Sequence, residues 1–594
     1  MSSAKKTLTF LKDIFIPVAP VKAIANKDKS MVEVIPSHQQ SFTTSNNELN
    51  KNGNGKEVDE FEISTDDDTD TLYAQGHTHR RLRNRHIQLI GIGGTIGVGL
   101  YISMSTALTH SGPISLVLAC IWWCTPILCV TAACAEMVCY LPIPSPFIRL
   151  SERCVDEAFS FMAGWNFWVL ECSLIPFELT LFNTLIHYWR NDYSAAIPIV
   201  CQLCLYFLIN IAAVQYYGEV EFYMAIGKVL LSIGLMVFTF ITMCGGNPIH
   251  DAYGFRHWST PFAEYLHKGD TGRWQGFLAA MITFSFLVAG PEYVSMSAGE
   301  VINPRKCLPS AYKQVAVRLT VFFVGGALAM GICCAYNDPL LLDAIENGSP
   351  GAGSSAYIIA MTNLKVKALP SIVSVMLLTS AFSAGNSYTY CSSRSLYGMA
   401  LEGKAPRLFA YCNKSGVPIY AVLLSLCWGL LAFLQLGETA STVLDWIVNL
   451  VTASQMINFL VILITYLHFK KACEAQGIDR DTLPFKGWYQ PYISYYGIFM
   501  IFIMIWVQGY YVFLPDSWSV TSFLFSYLMI FIDIALYLFW KILKKTKYVK
   551  PQDADLVTGS DEVDAHERHL QAIGEFDPKP RKWYSRISDL FFSQ

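Results

Sequence analysis

The stretch IGIGGTIGVGLY, residues 90–101, lies inside the first strongly apolar run of the 594-residue chain. Glycine occupies five of its positions, where a membrane helix normally carries large apolar side chains. Each glycine costs a helix interior about 1 kcal/mol relative to alanine, so we expect the helix to unwind here and to leave backbone N–H groups unpaired. In a membrane such groups are tolerated where they line a cavity, and a half-helix N-terminus offers them to an anion such as a carboxylate. The alternative is a close contact between two helices through the glycines.

The composition indicates a membrane protein with many spans. Hydrophobic residues make up 53% of the chain and charged residues 15%, and the mean hydropathy is +0.35. Soluble domains usually carry about 25% charged residues. We therefore expect an all-α integral membrane protein with twelve transmembrane helices, since one span needs roughly 20 apolar residues. The predicted spans lie near residues 87–107, 114–139, 160–186, 195–214, 222–244, 276–298, 315–335, 369–397, 418–436, 444–468, 493–514 and 521–543.

Both ends of the chain are predicted to lie in the cytoplasm. Residues 1–79 are polar and predict a disordered tail, residues 80–545 form the twelve-helix domain, and residues 546–594 form a second tail. Lysine and arginine are enriched in the loops assigned inside and directly before the first span, which is the positive-inside pattern. A glycosylation sequon at Asn347 falls on a loop assigned outside. The arginines before the first span are Arg80, Arg81, Arg83 and Arg85.

The residue patterns give no support to an enzyme or a metal protein. The sequence has no nucleophile–base set and no metal-ligand spacing, so we expect no catalytic residues, no metal and no cofactor. Nothing in it predicts binding to nucleic acid. Many of the 17 cysteines fall in apolar runs, where they are expected to be small buried hydrophobic residues.

The sixth predicted span is interrupted in the same way as the first. It contains the pair Gly290-Pro291, and a proline removes one backbone donor and clashes with the preceding turn. Interrupted helices at corresponding positions of two halves indicate an inverted repeat with a central binding site. This pairing favours the cavity-lining interpretation of the first glycine stretch.

Four ionisable residues fall inside predicted spans, where a charge costs about 2.5 to 3.5 kcal/mol on insertion scales. Glu171 and Glu178 share one face of span three, Lys228 is in span five, and Glu292 follows the break in span six. Each has a structural alternative, either a charge paired for packing or, for Lys228 and Glu171, a side chain that reaches the interface. The functional interpretation is that a desolvated carboxylate exchanges a proton and couples movement of a substrate to the proton gradient.

Six motifs in order resemble the fungal amino-acid permeases of the amino acid/polyamine/organocation superfamily. The similarity runs from about residue 80 to residue 545. It implies a leucine-transporter-like fold of five plus five inverted-repeat helices with two more at the C-terminus, proton symport and a fungal plasma membrane. The motifs are GGTIGVGL at 93–100, PFE at 176–178, YGEVEF at 217–222, AGPE at 289–292, AGE with NPRK at 298–306, and SAGNS with SSR at 383–394.

The resemblance also implies roles for single residues. Backbone in the glycine stretch would receive a substrate carboxylate, the carbonyls of Ala289 and Gly290 a substrate amine, and the carboxylates and the lysine would serve coupling or gating. The substrate-binding candidates are Gly93, Gly94, Thr95, Ile96, Gly97, Glu171, Phe286, Ala289 and Gly290. The coupling or gating candidates are Glu178, Lys228 and Glu292.

Three departures from the family pattern indicate one branch. Val98 replaces a usual threonine, Pro291 replaces a small residue, and Glu171 stands where the family usually has an uncharged residue. The chain is thus similar to the fungal permease linked to carnitine and polyamine uptake, and an extra acid suits a substrate with an extra cation. Trp165, Trp168 and Phe286 are candidates for cation–π contact with it, although such residues are more often packing residues.

Two functions remain open at this stage. The first is a transporter that imports amino acids or a cationic derivative such as carnitine, with polyamines as further candidates. The second is a nutrient sensor that regulates carnitine and polyamine uptake while transporting little. The retained carboxylates and Lys228 favour the transporter. Lysines of the tails are candidate sites for a ubiquitin ligase, with ordinary solvated lysines as the alternative; those in the N-terminal tail are Lys22, Lys27, Lys29, Lys51 and Lys56.

Overall fold

The computed structural model describes residues 78–190, 192–346, 355–437, 440–515 and 517–572. The predictions made for the N-terminal tail up to residue 77, for the sequon at Asn347 and for the C-terminal tail beyond residue 572 lie outside these ranges. All statements about the structure below refer to the described residues.

The described part of the chain is helical. Its only bridge of the β type in those ranges joins Leu82 to Val301. We number the helices α1 Asn84–Gly93, α2 Gly99–Tyr140, α3 Pro146–Cys154, α4 Glu157–Ile186, α5 Ala196–Ile211, α6 Val214–Met243, α7 Asp270–Leu287, α8 Pro291–Ser297, α9 Pro304–Arg318, α10 Gly325–Cys333, α11 Pro339–Glu346, α12 Ala356–Asn363, α13 Leu369–Leu401, α14 Ile419–Trp428, α15 Ala440–Ala475, α16 Tyr492–Val507, α17 Val520–Lys544 and α18 Ser560–Ala572.

All twelve predicted apolar runs coincide with helices. Nine helical stretches of the described residues are long and apolar enough to cross a membrane, and α5 and α16 are shorter apolar helices. The count of nine arises partly because α2, with 42 residues, covers most of the first span and all of the second. Gly112 separates these two parts with φ 77° and ψ 169°, and a Cβ there would lie 2.8 Å from the Pro261 carbonyl oxygen. The chain therefore turns at the one residue that has no side chain to clash.

Both predicted helix breaks are present. The first span is divided into α1 and α2, with residues 94–98 non-helical between them. The sixth span is divided into α7 and α8, with residues 288–290 between them. Gly290 has φ 156°, which a residue with a Cβ adopts only under strain, and Pro291 opens α8 without needing a helical partner for its nitrogen.

The helices pack around the two breaks. α13 lies along α4, α2 lies against α7, and α1 packs on α6. The buried apolar side chains of these helices form one continuous core. Exposed large apolar side chains are concentrated on α5, α6, α16 and α17, as expected for helices that face lipid. This arrangement places the breaks in the middle of the bundle.

The two ends of the described chain meet at one end of the bundle, which we call the terminal face and define by residues 78–83, 141–156, 301–305 and 545–572. Leu82 pairs with Val301 through backbone bonds to the neighbouring residues, and the Arg80 guanidinium donates to the Pro142 carbonyl at 2.9 Å. Helix α18 docks on the same face, where His566 Nε2 lies 2.9 Å from the Ile302 carbonyl oxygen. An even number of spans places the two ends of a chain on the same side of the membrane, as observed here.

Candidate functional site

The two breaks contact each other at the centre of the bundle. The ring of Tyr293 on α8 covers Gly94, where an added Cβ would lie 2.6 Å from the ring. An added Cβ at Gly290 would lie 3.2 Å from the Thr95 methyl group. Small residues on both sides are therefore what allows the two unwound segments to approach. Backbone from both breaks lines the same small region, as an inverted repeat with a central site requires.

The first break holds several of the predicted substrate-binding residues. Gly93 ends α1, and the Gly94 N–H closes that helix by donating to the Ile90 carbonyl at 3.2 Å. The Thr95 hydroxyl donates to the Gly91 carbonyl at 2.9 Å, and the Ile96 carbonyl accepts from Ser380 on α13 at 3.3 Å. The segment is thus fixed between its own helix and α13.

A carboxylate lies directly against the first break. Glu178 on α4 is buried, and an added Cβ at Gly97 would lie 2.6 Å from its Oε1 atom. The same carboxylate interacts with the backbone N–H of Val98 and with the ammonium group of Lys228 on α6. Glycine at position 97 is therefore required for the carboxylate to reach the unwound backbone.

A second carboxylate lies at the second break. Glu292 is the second residue of α8, its Oε2 accepts from the Gly290 N–H at 3.2 Å, and its Oε1 accepts from Gln455 on α15 at 2.9 Å. A carboxylate at a helix N-terminus is stabilised by the free N–H groups there. Ala289 and Gly290 precede it in the non-helical segment and are buried in the same place.

Glu171 occupies the region between α4 and α8. Its side chain is completely buried, and neither carboxylate oxygen has a hydrogen-bond partner of normal geometry among the described residues. Glu292 and the Tyr293 hydroxyl, both on α8, interact with this carboxyl group. A buried carboxyl group without a partner is unfavourable and needs an explanation. A cationic ligand in this region would supply the missing partner.

The aromatic candidates do not form one cluster. Phe286 on α7 lies beside the first break, with its ring 3.6 Å from the position of a Cβ at Gly99 and in edge-to-face contact with Phe177 at 5.7 Å. Trp165 instead donates to the Lys404 carbonyl at 3.3 Å and lies near Phe161, which stacks on α17. The structure brings Phe286 to the breaks and places Trp165 at the contact with α17.

Trp168 lies between these positions on α4. It packs edge-to-face on Trp165 at 5.5 Å and on Trp428 of α14 at 5.4 Å. Its indole nitrogen is buried without a hydrogen-bond partner among the described residues. The structure therefore gives Trp168 a packing environment with one unsatisfied donor.

The structure adds residues that the sequence did not single out. Glu221 on α6 is buried, accepts from the Ser383 hydroxyl at 2.7 Å and interacts with Lys228. Glu221 and Lys228 are seven residues apart, two turns along the same face of α6, but Glu219 in the same motif offers a second acid, so the sequence alone does not select Glu221. Gln455, the partner of Glu292, is on α15 and lies outside the six family motifs.

A buried ion pair lies between the breaks and the terminal face. Glu300, at the end of the turn after α8, accepts from Arg394 Nε on α13 at 3.1 Å and from the Tyr390 hydroxyl. The Arg394 guanidinium lies over the Tyr390 ring at 4.3 Å, and Tyr217 of α6 stacks on the other side of that ring at 4.3 Å. This cluster therefore connects the turn after α8 with α13 and α6.

Comparison with known proteins identifies relatives over most of the chain. The family model described as amino acid permease matches residues 86–551. The chain is 52% identical over 523 residues to the general amino acid permease AGP2 of Saccharomyces cerevisiae, covering 86% of this chain and 88% of that protein. It is 38% identical to a proline-specific permease of Emericella nidulans, covering 86% and 92%. It is 32% identical to a basic amino-acid permease of Saccharomyces cerevisiae, covering 86% and 88%.

Proposed function

Because the chain belongs to the amino acid permease family and is a multi-pass membrane transporter of amino acids, we propose that it is a proton-coupled importer of the plasma membrane. Its proposed substrates are amino acids or a cationic derivative such as carnitine, with polyamines as a further class. The driving ion is the proton. The alternative of a sensor that transports little has no support in the relatives, which are named as permeases.

The substrate is proposed to lie between the two breaks. Backbone N–H groups of residues 95–97 receive its carboxylate, because they lie in the non-helical segment just before α2, next to the positive end of that helix. The carbonyl groups of Ala289 and Gly290, in the non-helical segment that follows α7, receive its ammonium group. The close approach of Gly290 to Thr95 supports this arrangement, since it brings donors and acceptors to one place. Phe286 closes the side of the site toward α2.

Glu171 carries the proposal of a cationic substrate. The observation is its complete burial together with two carboxylate oxygens that have no hydrogen bond of normal geometry and no cationic partner among the described residues. A second cationic group on the substrate would pair with it, and a quaternary ammonium would also interact with nearby aromatic faces at about 0.5 to 2 kcal/mol. For an ordinary neutral amino acid, Glu171 is expected to stay protonated and uncharged.

The terminal face is proposed to be cytoplasmic. Arg80, Arg81 and Arg83 lie at this face, just before α1, and positive residues mark the cytoplasmic side of membrane proteins. This orientation also places the tails on the side where ubiquitin ligases act, which is consistent with tail lysines as modification sites.

The experiment is uptake of radiolabelled carnitine, spermidine, lysine and proline by permease-deficient yeast that express the full chain. The wild type is compared with Glu171→Gln and with a matched control, Asp533→Asn. Asp533 is also a buried carboxyl group without a hydrogen-bond partner among the described residues, but it lies on α17. We expect Glu171→Gln to lower uptake of the cationic substrates about tenfold and to leave proline uptake and surface amount within about twofold.

Three results would contradict the proposal. Equal loss of all substrates in Glu171→Gln, at normal surface amount, would remove Glu171 from substrate selection. Absence of saturable uptake of every substrate by surface-expressed wild type would remove the transport proposal itself. A loss in Asp533→Asn equal to that in Glu171→Gln would assign the effect to buried carboxyl groups in general.

A further inference from the structure

Three ionisable side chains are buried together beside the first break. Glu178, Glu221 and Lys228 are exposed by 1%, 0% and 2%. They come from two helices, α4 and α6, and the lysine ammonium interacts with both carboxylates. The group therefore contains two acids for one base. A buried ammonium needs one counter-charge, and the second carboxylate is left without a cation of its own.

The two carboxylates have different surroundings. Glu221 is on the same helix as Lys228, two turns away on the same face, and its partner Ser383 belongs to a polar strip of α13. In that strip Asn386 accepts from Asn210 of α5 at 2.8 Å. Glu221 is thus held by groups that do not belong to the breaks. This environment suits a carboxylate that stays ionised throughout transport.

The groups around Glu178, by contrast, belong to the first break. Glu178 touches Gly97 and the Val98 N–H, the segment that is proposed to receive the substrate carboxylate. Glu178 and Glu221 each have one oxygen without a hydrogen-bond partner among the described residues, so they differ in the groups that contact the other oxygen. When the substrate carboxylate and the Glu178 carboxylate share this small buried site they are not both ionised, because two negative charges so close together repel strongly. A substrate carboxylate at the first break therefore favours the protonated form of Glu178.

We propose that Glu221 is the fixed counter-ion of Lys228, and that it thereby leaves Glu178 as the carboxylate that carries the coupled proton. The inference rests on the proposed function. Glu178 takes one proton from the outside solution when the substrate carboxylate binds beside it, and returns that proton to the inside solution when the substrate leaves. Glu221 and Lys228 keep their charges, so one proton crosses with each substrate.

Other titratable groups face this cluster. The Tyr206 hydroxyl of α5 and the Tyr388 hydroxyl of α13 interact with Glu178. Tyr206, Tyr217 of α6 and Cys391 of α13 interact with Glu221. A phenol or a thiol is neutral over the range of pH 4.5 to 7.5. They do not supply the missing cation, and the charge balance stays with the two acids and the lysine.

The test is a double-mutant cycle in full-length protein reconstituted into liposomes. Uptake of the best amino-acid substrate is measured from pH 4.5 to 7.5 for wild type, Glu221→Gln, Lys228→Met and the double variant. In Glu221→Gln the lysine takes Glu178 as its counter-ion, so we expect at least about a tenfold loss of uptake and loss of acid stimulation. Removing both charges frees Glu178 again. The double variant should therefore recover to within about threefold of wild type and regain acid stimulation.

The control is Glu136→Gln, which removes another fully buried carboxylate, one that is paired with Arg480 Nε at 2.7 Å near the terminal face. Any loss of folded protein in this variant should leave the pH profile of the remaining molecules unchanged. The amount of folded protein is measured for each variant by size-exclusion chromatography, and substrate binding by the shift of the melting temperature.

The proposal is overturned if the double variant transports no better than the worse single variant while it still binds substrate. It is also overturned if Glu221→Gln keeps wild-type uptake and pH profile. Accumulation driven by a pH gradient that persists in Glu178→Gln but is absent in Glu221→Gln would make Glu221 the proton carrier. Uptake by wild type that does not respond to pH at all would instead contradict the proposed function.

Discussion

Gly97 is the residue through which Glu178 reaches the unwound backbone. A Cβ at this position would lie 2.6 Å from the carboxylate oxygen, closer than such atoms approach in folded proteins. A methyl group at this position therefore requires the Glu178 carboxylate to move away from the backbone. Glycine also explains why a carboxylate can lie against the proposed substrate site without a gap.

For Gly97→Ala we therefore expect uptake to fall about tenfold or more, because the methyl group displaces the Glu178 carboxylate by a few tenths of an ångström or more. The control is Gly227→Ala on α6, where an added Cβ meets no described atom within 4 Å. Alanine there should keep uptake and stabilise the helix slightly. The measurement is uptake divided by the amount of each variant at the cell surface. Wild-type uptake by Gly97→Ala would show that the contact between Gly97 and Glu178 is dispensable.

Single residues were predictable from the sequence where a charge interrupts an apolar run. Glu171, Glu178, Lys228 and Glu292 could be identified in this way, and all four are buried near the breaks. Glu221 could not, because it stands beside Glu219 at the start of a helix, and only the rotation of α6 decides which acid turns inward. Partners from distant parts of the chain, such as Gln455 for Glu292, depend on tertiary contacts that no local pattern encodes.

At the scale of elements, α18 is held on the terminal face by charged and polar contacts. Arg305 at the start of α9 pairs with Asp564 at 2.6 Å and with Glu567 at 3.1 Å. Arg153 of α3 donates to the Thr558 carbonyl at 2.7 Å, just before the helix. The segment thus connects the start of α9 with α3.

The docking of α18 should weaken in acid. Burial, with Arg80 nearby, lowers the pKa of His566 to about 4, whereas an exposed histidine has a pKa of about 6.5. The undocked segment therefore binds a proton that the docked segment excludes. The contribution of His566 to docking is complete above pH 6.5 and is lost as the pH falls toward 4. Between pH 7 and pH 6 the loss is roughly 0.7 kcal/mol.

Hydrogen exchange of residues 549–572 in solubilised protein measures this effect. Exchange should be faster at pH 5.5 than at pH 7.5 after correction for intrinsic rates. His566→Gln keeps a donor for the Ile302 carbonyl and should abolish the difference. Asp555 does not contribute in this range: burial alone would raise its pKa, but the Thr558 N–H and Arg153 hold it below the usual value. Equal protection at both pH values in wild type would contradict the role of His566.

The sequence predicted the elements that have a local cause. Glycines and Gly290-Pro291 identified both breaks, because their effect on a helix is local. The sequence did not predict that the first two spans continue as α2, because the pair Gly112-Pro113 suggests the end of a helix. The direction that the chain takes after Gly112 depends on its contact with the loop around Pro261, which is distant in sequence. Nor did it predict the docked helix α18, which is polar and depends on partners on α3 and α9.

For the whole molecule, the orientation in the membrane can be tested with a native cysteine. Cys244 is exposed and directly follows α6, whose first turns lie near the terminal face, where Gly218 contacts Leu82. Cys244 must therefore lie at the opposite end of the bundle. If the terminal face is cytoplasmic, a membrane-impermeant maleimide added to intact cells labels Cys244, and Cys244→Ser removes most of the label. Labelling only after the cells are opened would reverse the orientation.

The central claim is that amino acids enter together with protons through the site between the breaks. The most direct measurement is amino-acid accumulation in liposomes that contain the purified chain, with and without an imposed inward proton gradient, for wild type and Glu178→Gln. The account predicts accumulation above the external concentration only with the gradient and only in wild type, while Glu178→Gln still exchanges labelled for unlabelled substrate. Accumulation that ignores the gradient, or that survives in Glu178→Gln, would contradict it.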